Sequence, residues 1–170
     1  MKHPFTLHIL LLSLLTAIAG TAYADDASTS QQMVERGRYL VTVSGCNDCH
    51  TPNYPESGGK IPESDRLTGN SVGFQGPWGT SYPANLRLTM KNLNEQQWLQ
   101  RARLPLRPPM PWFSLRDMTD DDLRAVYAYI RQLGPKGQPA PAYAAPGQTV
   151  STPYIEFMPK NLPRRQASAE

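Results

Sequence analysis

The only two cysteines of this chain lie three positions apart and are followed directly by a histidine, in the segment Cys46-Asn47-Asp48-Cys49-His50. This C-x-x-C-H spacing is the attachment signature of c-type haem, because each thiol can form a thioether with a vinyl group on one edge of the porphyrin. The histidine is then placed under the iron as its proximal ligand. One motif predicts one haem c per chain. Cys46 and Cys49 hold it covalently, and His50 is the ligand of its iron.

Three other interpretations of the motif remain. A structural disulfide between Cys46 and Cys49 is compatible with an oxidising compartment. A thioredoxin-like redox pair requires a βαβ setting, and the flanking sequence shows no such pattern. A zinc site requires four ligands, whereas the other two histidines, His3 and His8, lie at the extreme N-terminus.

The first 24 residues have the features of a secretory signal peptide. Lys2 precedes an apolar run over residues 5–19, and Ala22-Tyr23-Ala24 follows with small residues at the two positions that a signal peptidase reads. The run is shorter than the roughly 20 residues that a helix needs to cross a bilayer. We therefore predict cleavage after Ala24, export to the bacterial periplasm, and a soluble mature protein.

Composition limits the fold of the remaining chain. It contains 17 prolines and 12 glycines in 170 residues, and each proline removes a backbone donor and fixes φ. Long bundles and regular sheet sandwiches are thereby excluded. The formal net charge of +3 is too small to indicate a nucleic-acid binder. We expect a domain over residues 25–134 and a proline-rich C-terminal tail over 135–170, which is either flexible or packs back through its apolar segment 154–158.

Helical periodicity and capping signals predict three helices. The first starts near residues 28–30 and ends near Ser44, the second runs from Asn94 to about Arg103, and the third covers residues 120–133. Gly37 is expected to mark a close approach between the first and last helices. No strand pattern is evident, and residues 51–92 are expected to be rich in loops.

Several short motifs make the chain resemble the class I c-type cytochromes over residues 31–134, and in particular the single-haem cytochromes that work with periplasmic dehydrogenases. The matching segments are 37–40, 49–52, 65–69, 76–79, 110–112, 118–123 and 127–130. The resemblance implies an all-α, class I cytochrome c fold, with three main helices and long loops around one covalently bound haem. It also implies that the Pro77 carbonyl accepts a hydrogen bond from His50 Nδ1. Candidates for contact with the haem propionates are Trp78, Tyr82, Asn85 and Arg87, although packing explains Trp78 and Tyr82 equally well.

The sixth iron ligand is expected to be a methionine, since no second histidine remains in the mature chain and thioether sulfur suits an electron carrier. The candidates are Met33, Met90, Met110, Met118 and Met158. Met33 is expected in the core, Met158 lies too late in the chain, and Met118 is explained as a hydrophobic staple of the last helix. Met90 is set aside by the resemblance alone. Met110 is preferred because prolines on both sides stiffen its loop.

Three classes of function are then open. A carrier of single electrons between a dehydrogenase and an acceptor, such as a terminal oxidase or another cytochrome, needs only saturated iron ligation. A haem enzyme, such as a peroxidase or a sulfur-compound oxidase, needs an exchangeable distal site. A gas sensor with a five-coordinate haem typically has its motif near the C-terminus. We favour the electron carrier, either free or as a cytochrome subunit of a dehydrogenase complex, without catalytic residues of its own.

Overall fold

The computed structural model describes residues 29–160, so the predicted signal peptide lies outside the described residues. Six helices and three short strands are present in this range. The helices are α1 (29–43), α2 (Cys46–His50), α3 (Leu86–Asn92), α4 (Glu95–Ala102), α5 (Trp112–Asp117) and α6 (Asp120–Leu133). The strands are β1 (Gly73–Gly76), β2 (Gly79–Ser81) and β3 (Tyr154–Glu156), and a 3-10 turn lies at Glu63–Asp65.

The capping signals place the two later predicted helices correctly. At the start of α4 the Asn94 side chain accepts from the Gln97 backbone, and the Gln97 side chain accepts from the Asn94 backbone, which completes a capping box. At the start of α6 the Thr119 hydroxyl accepts from the Asp122 backbone N–H. Helix α6 then ends before Gly134, whose φ of 71° is easily adopted by glycine.

Gly37 allows α1 and α6 to touch, as the sequence predicts. A Cβ atom at this position would lie 1.9 Å from the Ala125 carbonyl oxygen and 2.8 Å from Tyr129 Cβ. Only a residue without a side chain permits this backbone contact. The crossing supports a core that α4 and α6 share with α1, in which Val41, Leu123, Tyr129 and Ile130 are almost fully buried.

The expectation that strands are absent is wrong. β1 pairs antiparallel with β2 and parallel with β3, in the order β2-β1-β3. Helices α2, α3 and α5 were also not predicted. The fold is therefore mostly helical, with a small three-stranded sheet.

The C-terminal segment packs back on the rest of the molecule over its described part, residues 135–160. Ala144 forms backbone hydrogen bonds to Thr80 in both directions. Further along, β3 lies beside β1, and the Phe157 ring meets the Phe74 ring edge-on at 5.6 Å between centroids. No helix within the described residues is both long and apolar enough to cross a bilayer.

Candidate haem site

A cavity of about 300 Å³ lies beside α2, and all three functional side chains of the motif line it. Cys46, Cys49 and His50 come from this one short helix, whose first residue follows Gly45 in the left-handed region at φ 68°. We call this space the central cavity. Met110 and Met118 also contribute to its lining, so the structure brings the predicted anchors and the preferred sulfur ligand to one cavity.

The two cysteines are free thiols in a partly apolar setting. Burial raises the pKa of Cys46 to about 11. Burial, and then the negative charge of Asp48, also raise the pKa of Cys49. Thioredoxin-like cysteines have lowered pKa values, so this environment does not support the redox-pair interpretation.

The His50 ring is held by the main chain of a later segment. Its Nδ1 lies 2.7 Å from the Ala84 carbonyl oxygen, to which a neutral imidazole donates. Burial lowers the pKa of His50, and this effect outweighs the hydrogen bond to Ala84, which raises the pKa. The ring is therefore kept neutral with Nε2 free of its proton, which is the form that ligates a metal.

The predicted role of Pro77 is wrong, because Ala84 supplies the carbonyl instead. Pro77 is exposed in the turn between β1 and β2. After that turn the chain runs through β2 and reaches the central cavity at residues 81–84, all of which line it. The hydrogen bond thus depends on the path of the strand pair, and no residue-type signal marks Ala84 in the sequence.

The methionines are sorted by their burial. Met90 is fully buried in the core and does not line the central cavity. This placement argues against Met90 as the sixth iron ligand, an alternative that the resemblance alone had set aside. Met33 is 37% exposed, so its expected place in the core is wrong. Met110 and Met118 are partly buried and line the cavity. Met118 was interpreted only as a helix staple, and its contact with the cavity was missed.

All four residues named as propionate candidates have other partners. The Trp78 indole N–H donates to the Phe74 carbonyl, and the Tyr82 hydroxyl forms a hydrogen bond with the Thr152 hydroxyl. Arg87 donates to the carbonyls of Ser64 in the 3-10 turn, of Leu133 at the end of α6 and of Gly134 just after it. Asn85 caps α3 and donates to the carbonyls of Lys136 and Gln138. Of the four candidates only Tyr82 lines the central cavity.

The residues around the central cavity fit a c-type haem. The lining offers one neutral imidazole and two thioethers, which are ligand types found at haem iron, and two thiols, which are the groups that attach a c-type haem covalently. Most of the remaining lining is apolar, including Leu86, Trp98, Val126 and Ile130. Within residues 29–160 no group of three or more His, Cys, Asp or Glu side chains could hold a metal ion, which also weakens the zinc interpretation.

Comparison with known proteins identifies the family of the chain. Residues 34–134 match the family model for cytochrome c. The chain belongs to the cytochrome c family. This cytochrome is 30% identical over 126 residues to one of the subunits of the nicotinate dehydrogenase of Pseudomonas putida. It is 27% identical over 134 residues to the cytochrome c subunit of the quinone alcohol dehydrogenase of Gluconacetobacter polyoxogenes, and 24% identical over 150 residues to the fructose dehydrogenase cytochrome subunit of Gluconobacter japonicus.

These matches cover 68%, 72% and 81% of this cytochrome but only 10%, 26% and 29% of the respective relatives. The chain therefore corresponds to a minor part of each of those longer proteins. No solved structure gives a significant match.

Proposed function

We propose that this cytochrome is a mono-haem carrier of single electrons, exported to the periplasm, with the class I fold and one haem c attached through Cys46 and Cys49. The observation that carries the proposal is the convergence of both thiols, the oriented imidazole and Met110 on one cavity. A haem bound there supplies reversible one-electron chemistry at its iron.

The residues of the chain bind the group and protect it from exchange. Cys46 and Cys49 anchor one edge, His50 presents a deprotonated Nε2, and the Ala84 carbonyl fixes the plane of the imidazole. Met110 is proposed to hold the iron together with His50. Iron held by both residues would exchange ligands poorly, which would suit electron transfer and disfavour substrate chemistry.

The lining of the central cavity supports a carrier over a haem enzyme. Apart from His50, no described residue of the lining is a histidine, aspartate or glutamate. The described lining therefore lacks the carboxylate or second histidine that would most readily assist peroxide or sulfur-compound chemistry as an acid or base.

We further propose a dehydrogenase as the electron donor, because the relatives include cytochrome subunits of alcohol and fructose dehydrogenases. The acceptor would be a terminal oxidase or another cytochrome. A redox encounter of this kind uses a small and transient interface. Permanent association with a dehydrogenase as its cytochrome subunit is the second arrangement compatible with these relatives.

The test of haem attachment is the intact mass of the protein, expressed with a c-type haem maturation system. We expect a chain that begins at Asp25, carries the mass of one haem and keeps its colour through a denaturing gel. The Cys46→Ser/Cys49→Ser variant should lose the covalent haem. A mass equal to the bare polypeptide with a Cys46–Cys49 disulfide would overturn the proposal.

The test of the carrier role measures electron exchange with another redox protein and the consumption of small-molecule substrates. The reduced protein should pass electrons rapidly to an oxidised c-type cytochrome, while purified protein should not consume peroxide or thiosulfate. Rapid consumption of either small molecule, if it persists after removal of contaminating enzymes, would favour the haem-enzyme interpretation.

A further inference from the structure

Two arginines at the central cavity lack the partners that the other arginines have. Arg101 and Arg107 line the cavity, and both are exposed. Each of the other eight arginines among residues 29–160 donates to a carboxylate or a backbone carbonyl. Within the described residues, Arg101 and Arg107 have neither kind of partner.

The charge around the cavity is one-sided. Its described lining contains these two guanidinium groups and no aspartate or glutamate. A c-type haem carries two propionate carboxylates that are not consumed by attachment. Guanidinium binds carboxylate with paired N–H donors, and it is the cationic side chain best suited to that geometry. We propose that Arg101 and Arg107 are the partners of the two haem propionates, an assignment that rests on the haem attachment proposed above.

Arg107 is held in place by the C-terminal segment. Its guanidinium carbon lies 3.9 Å from the centre of the Tyr143 ring, which is close enough for a cation–π contact. The Tyr143 hydroxyl in turn donates to the Trp78 carbonyl oxygen at 2.7 Å, which fixes the ring against the turn between β1 and β2. Tyr143 also lines the cavity. The segment after α6 thus positions one of the two arginines.

Arg101 approaches from a different element. It lies in the last turn of α4, one residue before the buried Ala102, and three residues after Trp98, whose indole N–H donates to the Leu123 carbonyl of α6. The two arginines therefore reach the cavity from a helix anchored to the core and from a loop anchored to the C-terminal segment. Two independently supported cations match a ligand with two carboxylates.

The experiment compares Arg101→Gln and Arg107→Gln with Lys91→Gln in the haem-loaded protein. Lys91 is exposed in α3, its ammonium group pairs with no carboxylate among the described residues, and it does not line the cavity, so its loss removes the same charge away from the site. Two readouts are used: the reduction potential, and the propionate-bending bands of the resonance Raman spectrum. Covalent haem is checked first by mass, so that failure of attachment is distinguished from failure of this assignment.

We expect each arginine variant to lower the reduction potential at least about twice as much as Lys91→Gln, because a nearby cation favours the ferrous form and screening weakens distant charges. The propionate-bending bands should move in both arginine variants and stay unchanged in Lys91→Gln. Arg101→Lys and Arg107→Lys should restore most of the potential, since they keep the charge. Tyr143→Leu alone should reproduce part of the fall in reduction potential seen in Arg107→Gln. When it is combined with Arg107→Gln, it should cause no further fall.

Unmoved propionate bands in both arginine variants would overturn the assignment, even if the potential falls. If the bands are unmoved and the variants alter only the salt dependence of electron exchange with a partner protein, the two guanidinium groups serve docking instead. If a Gln variant does not fold, the bands of the corresponding Lys variant decide, because the different donor geometry of lysine must still shift them.

Discussion

At the scale of single residues, the two methionines at the central cavity have different surroundings. Met110 lies in the loop before α5, where its backbone N–H donates to the Arg107 carbonyl and its own carbonyl accepts from Trp112. Met118 lies between α5 and α6, and its carbonyl accepts from Arg103. Both side chains line the cavity, and their substitution has different expected effects.

Met110→Ala should abolish the weak red-end absorption of the ferric protein that a methionine ligand to iron produces. It should also lower the reduction potential and allow small ligands to bind, because the iron would lose one of the two protein ligands proposed for it. Met118→Ala should keep the spectrum and weaken the start of α6 by about 1 kcal/mol or less. The measurement is the ferric absorption spectrum with and without added imidazole.

Met90→Ala is the matched control for a buried methionine away from the cavity. It should lower the free energy of unfolding by about 2–5 kcal/mol, as for other large core truncations, with the spectrum unchanged. Loss of the red-end band in Met118→Ala alone would move the ligand assignment from Met110 to Met118.

A second prediction at this scale concerns Glu63, which joins α1 to α6 through hydrogen bonds from Arg38 and Tyr129 of 2.7 and 2.8 Å. Partial burial raises the pKa of this carboxyl, but the bonds from Tyr129 and Arg38 together outweigh it, and the pKa is lowered. A lowered pKa in the folded state stabilises the protein at pH values above the ordinary carboxyl range, and this stability is lost as pH falls through the folded-state pKa.

Glu63→Gln should therefore reduce the free energy of unfolding near neutral pH, by less than about 1 kcal/mol because the side chain is partly exposed. The difference from wild type should shrink as the pH falls below the ordinary carboxyl range. Urea unfolding at several pH values measures this, with the exposed Glu56→Gln as control. A difference that is constant down to strongly acidic pH would contradict the argument.

At the scale of elements, the crossing of α1 and α6 depends on one missing side chain. Gly37→Ala would gain about 1 kcal/mol of helix propensity. However, the new methyl group would meet the Ala125 carbonyl, a backbone atom that no rotamer change can move. The two helices must separate, and the net loss of unfolding free energy should be about 1–3 kcal/mol.

Thermal or chemical unfolding measures this loss. Val43→Ala is the control in the same helix, because Val43 is 58% exposed and its truncation should change stability by about 0.5 kcal/mol at most. A Gly37→Ala protein as stable as wild type would show that the two helices can move apart without cost.

The elements differ in how well the sequence predicts them, for physical reasons. Helices α4 and α6 carry their own caps, and α6 also has an apolar stripe, so local signals suffice. Helix α3 has only seven residues, which are too few to show a periodic pattern, and its only cap is the Asn85 side chain. The three strands have three or four residues each and no alternation of buried and exposed positions, so their pairing depends on distant segments.

The candidate site also combines residues that local sequence signals predict with residues that depend on distant segments. Cys46, Cys49 and His50 follow from residue type and spacing, because haem attachment itself fixes that spacing. The Ala84 carbonyl follows from the path of the main chain, and every residue offers a similar carbonyl group. Arg101 and Arg107 become candidates only when the structure shows which arginines already have partners.

At the scale of the whole molecule, the C-terminal segment completes the sheet and one wall of the central cavity. Phe157 contacts both Phe74 and Trp78, with ring centroids 5.6 and 6.3 Å apart. Its backbone N–H also donates to the Gln75 carbonyl at 2.7 Å. These contacts hold β3 beside β1.

Phe157→Ala should lower the free energy of unfolding by about 1–2 kcal/mol, since the two ring contacts add to the area that is lost. It should also make the segment after α6 easier to cleave in limited proteolysis. The neighbouring Met158→Ala is a close control, because Met158 is 43% exposed, against 42% for Phe157, and has no ring to stack. Equal effects of the two variants would show that the ring contacts do not hold β3.

The pairing of β3 with β1 also has a consequence in time. It joins Tyr154 to Gly73, 81 positions earlier, and contacts between residues so far apart carry a loop-closure cost and form slowly. In the export proposed above, Cys46 and Cys49 would cross the membrane before Tyr143, so the part of the cavity wall that Tyr143 builds would still be missing when both thiols first emerge. The thiols are reactive as thiolates, a form that burial disfavours at Cys46. The order of export would thus provide an interval in which a haem can reach two accessible cysteines before the fold closes over them.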